Sequence, residues 1–385
     1  MRKWIGRFGG SVLLVAALGI ALDALTYSPS AWVADYQRLK RDMAQGYANL
    51  DWMVQRRGLD LVALDRVTTE RLQGARSRAR AYLALRDFVA AFRDPHLEIA
   101  WGGAGGGRRS QAGAARPACG RAGQPAAFHA GLTALPGWEP LPSSVFALAR
   151  QGPTGFLRLP SFDEDNYRDA CRPEERPGQT ERERRLSIRA LLQEQLRGDI
   201  ARLRSRGVRR LVIDLTGNGG GSDWATEAAA LFSSKPLRRR ERLLVGPECD
   251  RSAVWRGDPP PCSVFATPSA EFADLAGTGA WDGPLLILAD EGTASAAEDF
   301  IVWLHGSGAA TLIGRRTLGA GCGYVDGGTA TRFTVAPITV RMPNCARYLA
   351  DGLNEVEGVR PDVVLPMYKE SFTRAFAQVL GTKQS

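Results

Sequence analysis

Ser295 stands where a serine could be made nucleophilic. It lies in Asp290-Glu-Gly-Thr-Ala-Ser-Ala-Ala-Glu298, between two apolar stretches of different rhythm. Leu285–Leu288 is a short continuous apolar run, the pattern of a strand buried on both faces. Ala294, Ala297, Ile301 and Leu304 recur at steps of three and four, which is one face of a helix. A strand that hands over to a helix lifts a hydroxyl out of the sheet. It also aims the first unpaired helix N–H groups at whatever binds there. Thr293 and Ser295 both sit at the handover, and a hydroxyl at that place either attacks a substrate or caps the helix.

Acyl transfer needs a nucleophile, a base to take its proton, and two N–H donors for the developing oxyanion. Leu211-Val-Ile-Asp-Leu-Thr-Gly-Asn-Gly-Gly-Gly221 offers the donors, because glycines let a backbone approach a ligand with no Cβ in the way. A phosphate cradle would carry Lys-Ser/Thr after its glycines; Ser222-Asp223 stands there instead. The base must come from a small stock: His96, His129 and His305, or Lys3, Lys40, Lys235, Lys369 and Lys383. His305 falls ten residues beyond Ser295 on the same helix, a rise of roughly 15 Å, too far to reach the hydroxyl.

The elements that position these residues follow from periodicity. Ala34–Tyr47, Leu61–Leu72 and Ser77–Phe92 read as helices that end near Asp94-Pro95, since proline disfavours helix in the residue before it. Leu97, Ile99 and Trp101 then alternate with Glu98 and Ala100 as a strand. Residues 102–127 are rich in Gly, Ala and Arg and carry no period. From Gly155 onward come a strand (155–159), a polar loop (161–180), a charged helix (181–206), a strand (210–215), the glycine turn and a helix (224–232). That alternation is α/β.

Three blocks together resemble peptidase family S41, the C-terminal processing proteases, tricorn core proteases and their relatives. They are Leu211–Gly221, Asp290–Glu298 followed by Gly314-Arg-Arg-Thr-Leu-Gly-Ala-Gly321, and Glu357-Gly-Val-Arg-Pro-Asp362. The resemblance spans roughly residues 155–365. It implies a crotonase/ClpP-like core of β-β-α units preceded by a small helical bundle. It also implies Ser295 as nucleophile, with the Ala296 N–H and the turn at Gly219 and Gly220 facing the oxyanion. The lysine-using branch carries Gly-Lys-Gly where this chain has Gly319-Ala320-Gly321, so a Ser/Lys dyad does not fit. The tricorn-like branch uses histidine, which points to His96 in Asp94-Pro-His96 as the base and to Glu355 as the group that orients it. Asp94 and Glu357 are the substitutes for Glu355, and Pro95 stands where that branch places a relay serine. A PDZ domain finds no room between Trp101 and Gly155.

These readings divide the chain into 1–27 (signal peptide or N-terminal anchor), 28–101 (helical domain), 102–127 (linker) and 128–385 (catalytic domain). Arg2, Lys3 and Arg7 precede the apolar run Val12–Leu22, the layout of a secretory signal, with Gly19-Ile-Ala21 as a small-x-small cleavage site. The expected location is therefore the periplasm, free or held by an uncleaved anchor. Cys119, Cys171, Cys249, Cys262, Cys322 and Cys345 form no C-x-x-C pair, and in an exported chain an even number suggests disulfides. Pairing near neighbours gives Cys249–Cys262 and Cys322–Cys345 and leaves Cys119–Cys171; free buried cysteines are the alternative. The net charge of +9 is spread along the chain with no basic run and interleaved aromatics, so no nucleic-acid groove is expected. No metal cluster, dinucleotide fingerprint or other cofactor motif is present, and Trp101, Trp224, Trp281 and Trp303 read as core or pocket wall. The expectation is a serine endopeptidase acting on peptides or proteins. A catalytically inactive peptide-binding relative and a crotonase-type acyl-CoA enzyme are its rivals.

Overall fold

The computed structural model describes residues 23, 26–102, 137–143, 145–167, 178–246, 248–262, 271–366 and 369–381. The N-terminal apolar run, the linker beyond Gly102, His129, Cys119 and Cys171 lie outside the described residues. In chain order the helices are α1 (Pro29–Gly46), α2 (Leu50–Gln55), α3 (Leu61–Gln73), α4 (Arg78–Ala91), α5 (Glu181–Ser205), α6 (Trp224–Ala229), α7 (Ala296–Gly306) and α8 (Lys369–Leu380). Strands β1 to β5 are Glu98–Trp101, Glu139–Leu141, Ala147–Gln151, Thr154–Arg158 and Arg210–Asp214. Strands β6 to β10 are Leu237–Arg240, Leu243–Leu244, Phe272–Leu275, Leu285–Ala289 and Thr311–Gly314. Strands β11 to β14 are Thr329–Arg332, Ile338–Met342, Cys345–Ala346 and Val363–Val364. None of these helices is long and apolar enough to cross a membrane.

The chain forms two compact units. One gathers three separated segments: Met1–Arg109, Leu243–Thr267 and Gly323–Cys345. Its helices begin where the sequence supplies caps. Pro29 opens α1, and the side chains of Asp60 and Ser77 accept the N–H groups of Ala63 and Arg80. The helices bury Trp32, Tyr36, Leu39, Met43, Leu85 and Phe88. Beside them lies a three-stranded antiparallel sheet ordered β1-β12-β11, in which Glu98 pairs with Arg341. Arg251 is fully buried and donates to the Ala44 and Tyr47 carbonyls and to Asp51. Cys249 and Cys262 are joined by a disulfide.

The other unit comprises Ser110–Arg242, Pro268–Cys322 and Ala346–Ser385 and holds a seven-stranded sheet ordered β14-β10-β9-β5-β4-β3-β2. The strands from β14 to β4 run parallel, β3 folds back antiparallel on β4, and β2 pairs antiparallel with β3. The alternation of side chains feeds two cores. Leu211, Ile213, Leu285 and Ile287 meet α5 and α7 through residues such as Leu196, Leu203, Phe300 and Ile301. Val212, Leu288 and Ile313 meet Phe372, Phe376 and Leu380 of α8. The strand expected over 285–288 is thus covered on both faces, as its unbroken apolar run implies. The α5 helix starts at a capping box formed by Thr180 and Glu183.

The α/β class holds, while several details depart from the sequence reading. The α2 helix, the β2–β3 hairpin and the β6–β8 ribbon were not expected, being short or, like Leu237-Arg-Arg-Arg240, charged. Trp224, Trp281 and Trp303 are core, but Trp101 is 47% exposed. It sits on an edge strand, edge-on to Tyr82 with 5.4 Å between ring centroids.

Candidate active site

Ser295 occupies the step between β9 and α7 with φ 56° and ψ −120°, a backbone state that side chains other than glycine rarely adopt. Its residue is half-buried. Of the two hydroxyls at the handover, that of Thr293 is consumed by the fold. It is buried, donates to the Leu215 carbonyl at 2.9 Å and accepts the Asp290 N–H at 3.1 Å. The other hydroxyl, that of Ser295, stands at the N-cap of α7, where Ser295 and Glu298 form a capping box.

The glycine turn lies directly against this elbow. A Cβ on Gly220 would come within 2.7 Å of the Ala294 carbonyl oxygen, the Ala296 nitrogen and Ser295 Cβ. Only glycine allows that approach, and Gly220 also has φ +96°. Asn218 fixes the turn: its side chain donates to the Leu159 carbonyl and accepts the Gly220 N–H at 2.9 Å, and its carbonyl accepts the Ala294 N–H. Beneath the turn, Asp214 and Arg158 form a buried ion pair that also binds Thr216. The Gly220 amide is therefore engaged. Among the described residues, the amides of Gly219 and Ala296 have no acceptor, and Ala296 is the first residue of α7.

Glu298 and Glu355 lie deeper. Glu298 is 0% exposed, and burial, aided by the nearby charge of Glu355, pushes its carboxyl up to about 7 against the pull of its hydrogen bonds. Glu355 is buried and gripped by Arg347 through two bonds of 2.7 and 2.9 Å. Arg347 also reaches Asp299 on α7 at 2.8 Å. Burial alone would raise the Asp299 carboxyl, yet Arg347 and Arg239 hold it below the usual carboxylate range. Arg239 lies over the Trp303 ring at 4.3 Å, and burial with the neighbouring Arg347 lowers its guanidinium.

His96 belongs to the other unit. It follows Asp94, whose buried carboxylate accepts the His96 N–H at 2.9 Å, the Tyr47 hydroxyl at 2.9 Å and the Asn49 amide at 2.8 Å. Asp94 therefore fixes the backbone of His96. The Tyr324 hydroxyl donates to the His96 carbonyl, and its ring lies 4.8 Å from the imidazole. A Cβ on Gly323, which has φ +68°, would fall 2.5 Å from His96 Cε1. Gly323→Ala is accordingly expected to displace the imidazole. The His96 Cε1–H resonance would lose its contacts with the Tyr324 ring in an NMR spectrum, and an unchanged resonance would disprove the packing. Elsewhere, His305 is paired with Asp362 at 3.0 Å, and Asp362 also accepts the Leu312 N–H. No cluster of His, Cys, Asp and Glu among the described residues has the form of a metal site.

The sequence profile of Peptidase family S41 matches residues 153–365. The chain belongs to peptidase family S41. No curated protein sequence matches it. Among solved structures, a Parabacteroides merdae chain described as a peptidase candidate is similar with a TM-score of 0.59 at 13% identity, covering 92% of this chain and 96% of that one. Mature CPAF is similar with a TM-score of 0.56 at 15% identity, covering 92% and 96%. Mature CPAF complexed with lactacystin gives 0.58 at 14% identity, covering 92% and 97%. These likenesses extend the α/β fold of the S41 peptidase beyond the profile match, and the family makes peptides or proteins its substrates.

The sequence did not point to Arg347, Arg239 or Asp299, and it named Glu298 only as the last residue of a motif. No spacing rule signals the arginines. The Ser-x-x-Glu capping-box pattern at Ser295 is the one signal that could have marked Glu298.

Proposed function

We propose that this S41 peptidase is an exported serine endopeptidase of the Ser/His type. Ser295 Oγ attacks the scissile carbonyl carbon and His96 takes its proton. The oxyanion so formed accepts the Ala296 and Gly219 N–H groups. Collapse breaks the C–N bond, and the imidazolium returns the proton to the leaving amine. Water, deprotonated by His96, then hydrolyses the acyl-enzyme. Glu355 is the third member in this reading, with Arg347 setting its orientation, and Asp94 holds the backbone of the base. The observation that carries the proposal is the strained Ser295 elbow lying against Gly220 beside two amides without acceptors. Export to the periplasm, free or anchored, is supported by the Cys249–Cys262 disulfide and by Cys322 and Cys345, which are also disulfide-bonded.

A second reading, a peptide-binding protein without turnover, draws on Glu355. Both of its oxygens are occupied by Arg347, as in a purely structural ion pair. A fluorophosphonate probe separates the two. An adduct mapped by mass spectrometry to the peptide bearing Ser295, and absent in His96→Ala, is the expected result. No adduct on the folded wild-type protein would favour the binder, and an adduct that survives His96→Ala would mean another base.

A further inference from the structure

The Glu298 carboxylate receives more hydrogen bonds than a helix cap requires. In a capping box the third helical residue reaches back to the N-cap N–H. Glu298 does so, accepting the Ser295 N–H at Oε2 at 2.8 Å. Four further donors converge on it from residues 317–321. The Thr317 hydroxyl and the Gly319 N–H bind Oε1, the latter at 2.8 Å. The Ala320 and Gly321 N–H groups bind Oε2 at 2.9 and 3.0 Å. None of the five donors is a cation. The five donors surround the two oxygens as a nest of backbone amides surrounds an anion, opposing the burial that raises this carboxyl.

The 317–321 loop is seated on its far side as well. A Cβ on Gly319 would meet the Val356 carbonyl oxygen at 2.4 Å, and one on Gly321 would meet Glu355 Cβ at 3.0 Å. Thr317 exchanges hydrogen bonds with Val359, and the Leu318 N–H donates to the Thr293 carbonyl at 2.9 Å. The loop is thus pressed between the Ser295 elbow and the segment carrying Glu355, and Glu298 is the side chain that fastens it to the elbow.

We propose that Glu298 is a positioning residue: its carboxylate clasps the 317–321 loop to the Ser295 elbow and so sets the orientation of the nucleophile. This deepens the serine-peptidase reading and rests on it for the catalytic half of the claim. A carboxamide cannot substitute. Whichever way the amide introduced by Glu298→Gln turned, its NH2 would face either the three N–H donors at the Oε2 position or the two donors at the Oε1 position.

The test compares wild type with Glu298→Gln, following fluorophosphonate labelling (kinact and KI) and hydrogen exchange in peptides covering 317–321. The expected result is a fall in kinact on the order of 10²-fold with KI unchanged, the scale of a misplaced reacting group. Loop exchange rises while protection of the central strands stays as it was. A kinact equal to that of wild type overturns the positioning role. So does a loss of labelling matched by the unfolded fraction with unchanged loop exchange, which would mark Glu298 as merely structural. Should Glu298→Gln not fold, Thr317→Val removes one donor at near-constant volume. It should lower kinact about tenfold, a smaller share of the same effect; no change would overturn the clasp. If wild type itself is not labelled, the peptidase reading fails, and loop exchange alone decides whether the clasp exists.

Discussion

Ser295→Ala should lower kcat for peptide hydrolysis on the order of 10⁶-fold, with His96→Ala close behind and the double variant no worse than the first. In the proposed mechanism the two side chains act as one unit: the base has no proton to take without the hydroxyl, and the hydroxyl stays a poor nucleophile without the base. Stability should fall by only about 1 kcal/mol in Ser295→Ala, the usual cost of losing an N-cap hydroxyl. Alanine feels the same strain as serine at φ 56°, and the Ser295 N–H keeps its bond to Glu298. Turnover of an internally quenched peptide library, read beside a thermal melt, checks both halves. Residual turnover above about one part in a hundred would place the nucleophile elsewhere, since the oxyanion donors alone retain far less. Additive losses in the double variant would sink the coupling of Ser295 to His96.

Arg347→Met should destabilise the protein by about 3–5 kcal/mol, the cost of leaving buried charges without their partner. Among the described residues Arg347 is the only cation bonded to Glu355, and it shares Asp299 with Arg239. Lysine at 347 keeps the charge but loses the fork that binds both Glu355 oxygens, so its cost should be intermediate. The deficit should also shrink in acid. In wild type Arg347 and Arg239 hold the Asp299 carboxyl low, which adds stability above its unfolded pKa and loses it as pH falls through the folded value. The methionine variant has less of that contribution to lose, so the two urea-denaturation curves should converge below about pH 4. A constant difference from pH 7 to pH 3 would show that packing, not charge, is what Arg347 supplies.

How far the sequence reaches can be seen at single residues. The place of Ser295 between β9 and α7 was legible because a change from a continuous apolar run to a helical period marks one handover. The sheet order was less so: β9 stood out as an apolar run, whereas β6 is stabilised by pairing with β8 rather than by side chains suited to strands. Trp101 shares parity with Leu97 and Ile99 and so reads as buried. An edge strand, however, leaves part of its apolar side uncovered, and Trp101 lies there. The clasp at Glu298 was hidden for a different reason. Its donors are mostly main-chain amides, which every non-proline residue carries, so no pattern of side chains announces them. Arg347 reaches Asp299 and Glu355 through the fold alone, and an arginine in an arginine-rich chain gives no sign of it.

The discontinuous unit has a consequence for biosynthesis. Its helices α1 to α4 leave the ribosome early, but β1 must wait for β12, and Glu98 finds Arg341 only when most of the chain has been made. At about 5–20 residues per second the delay is on the order of 10–50 s. During it, Trp32 lacks Phe333 and Asp35 has yet to meet the Thr334 and Val335 amides, and Phe88 waits part of that time for Trp255. Until then the earliest helices of this unit lack the strands that complete them, because those strands have not yet been made.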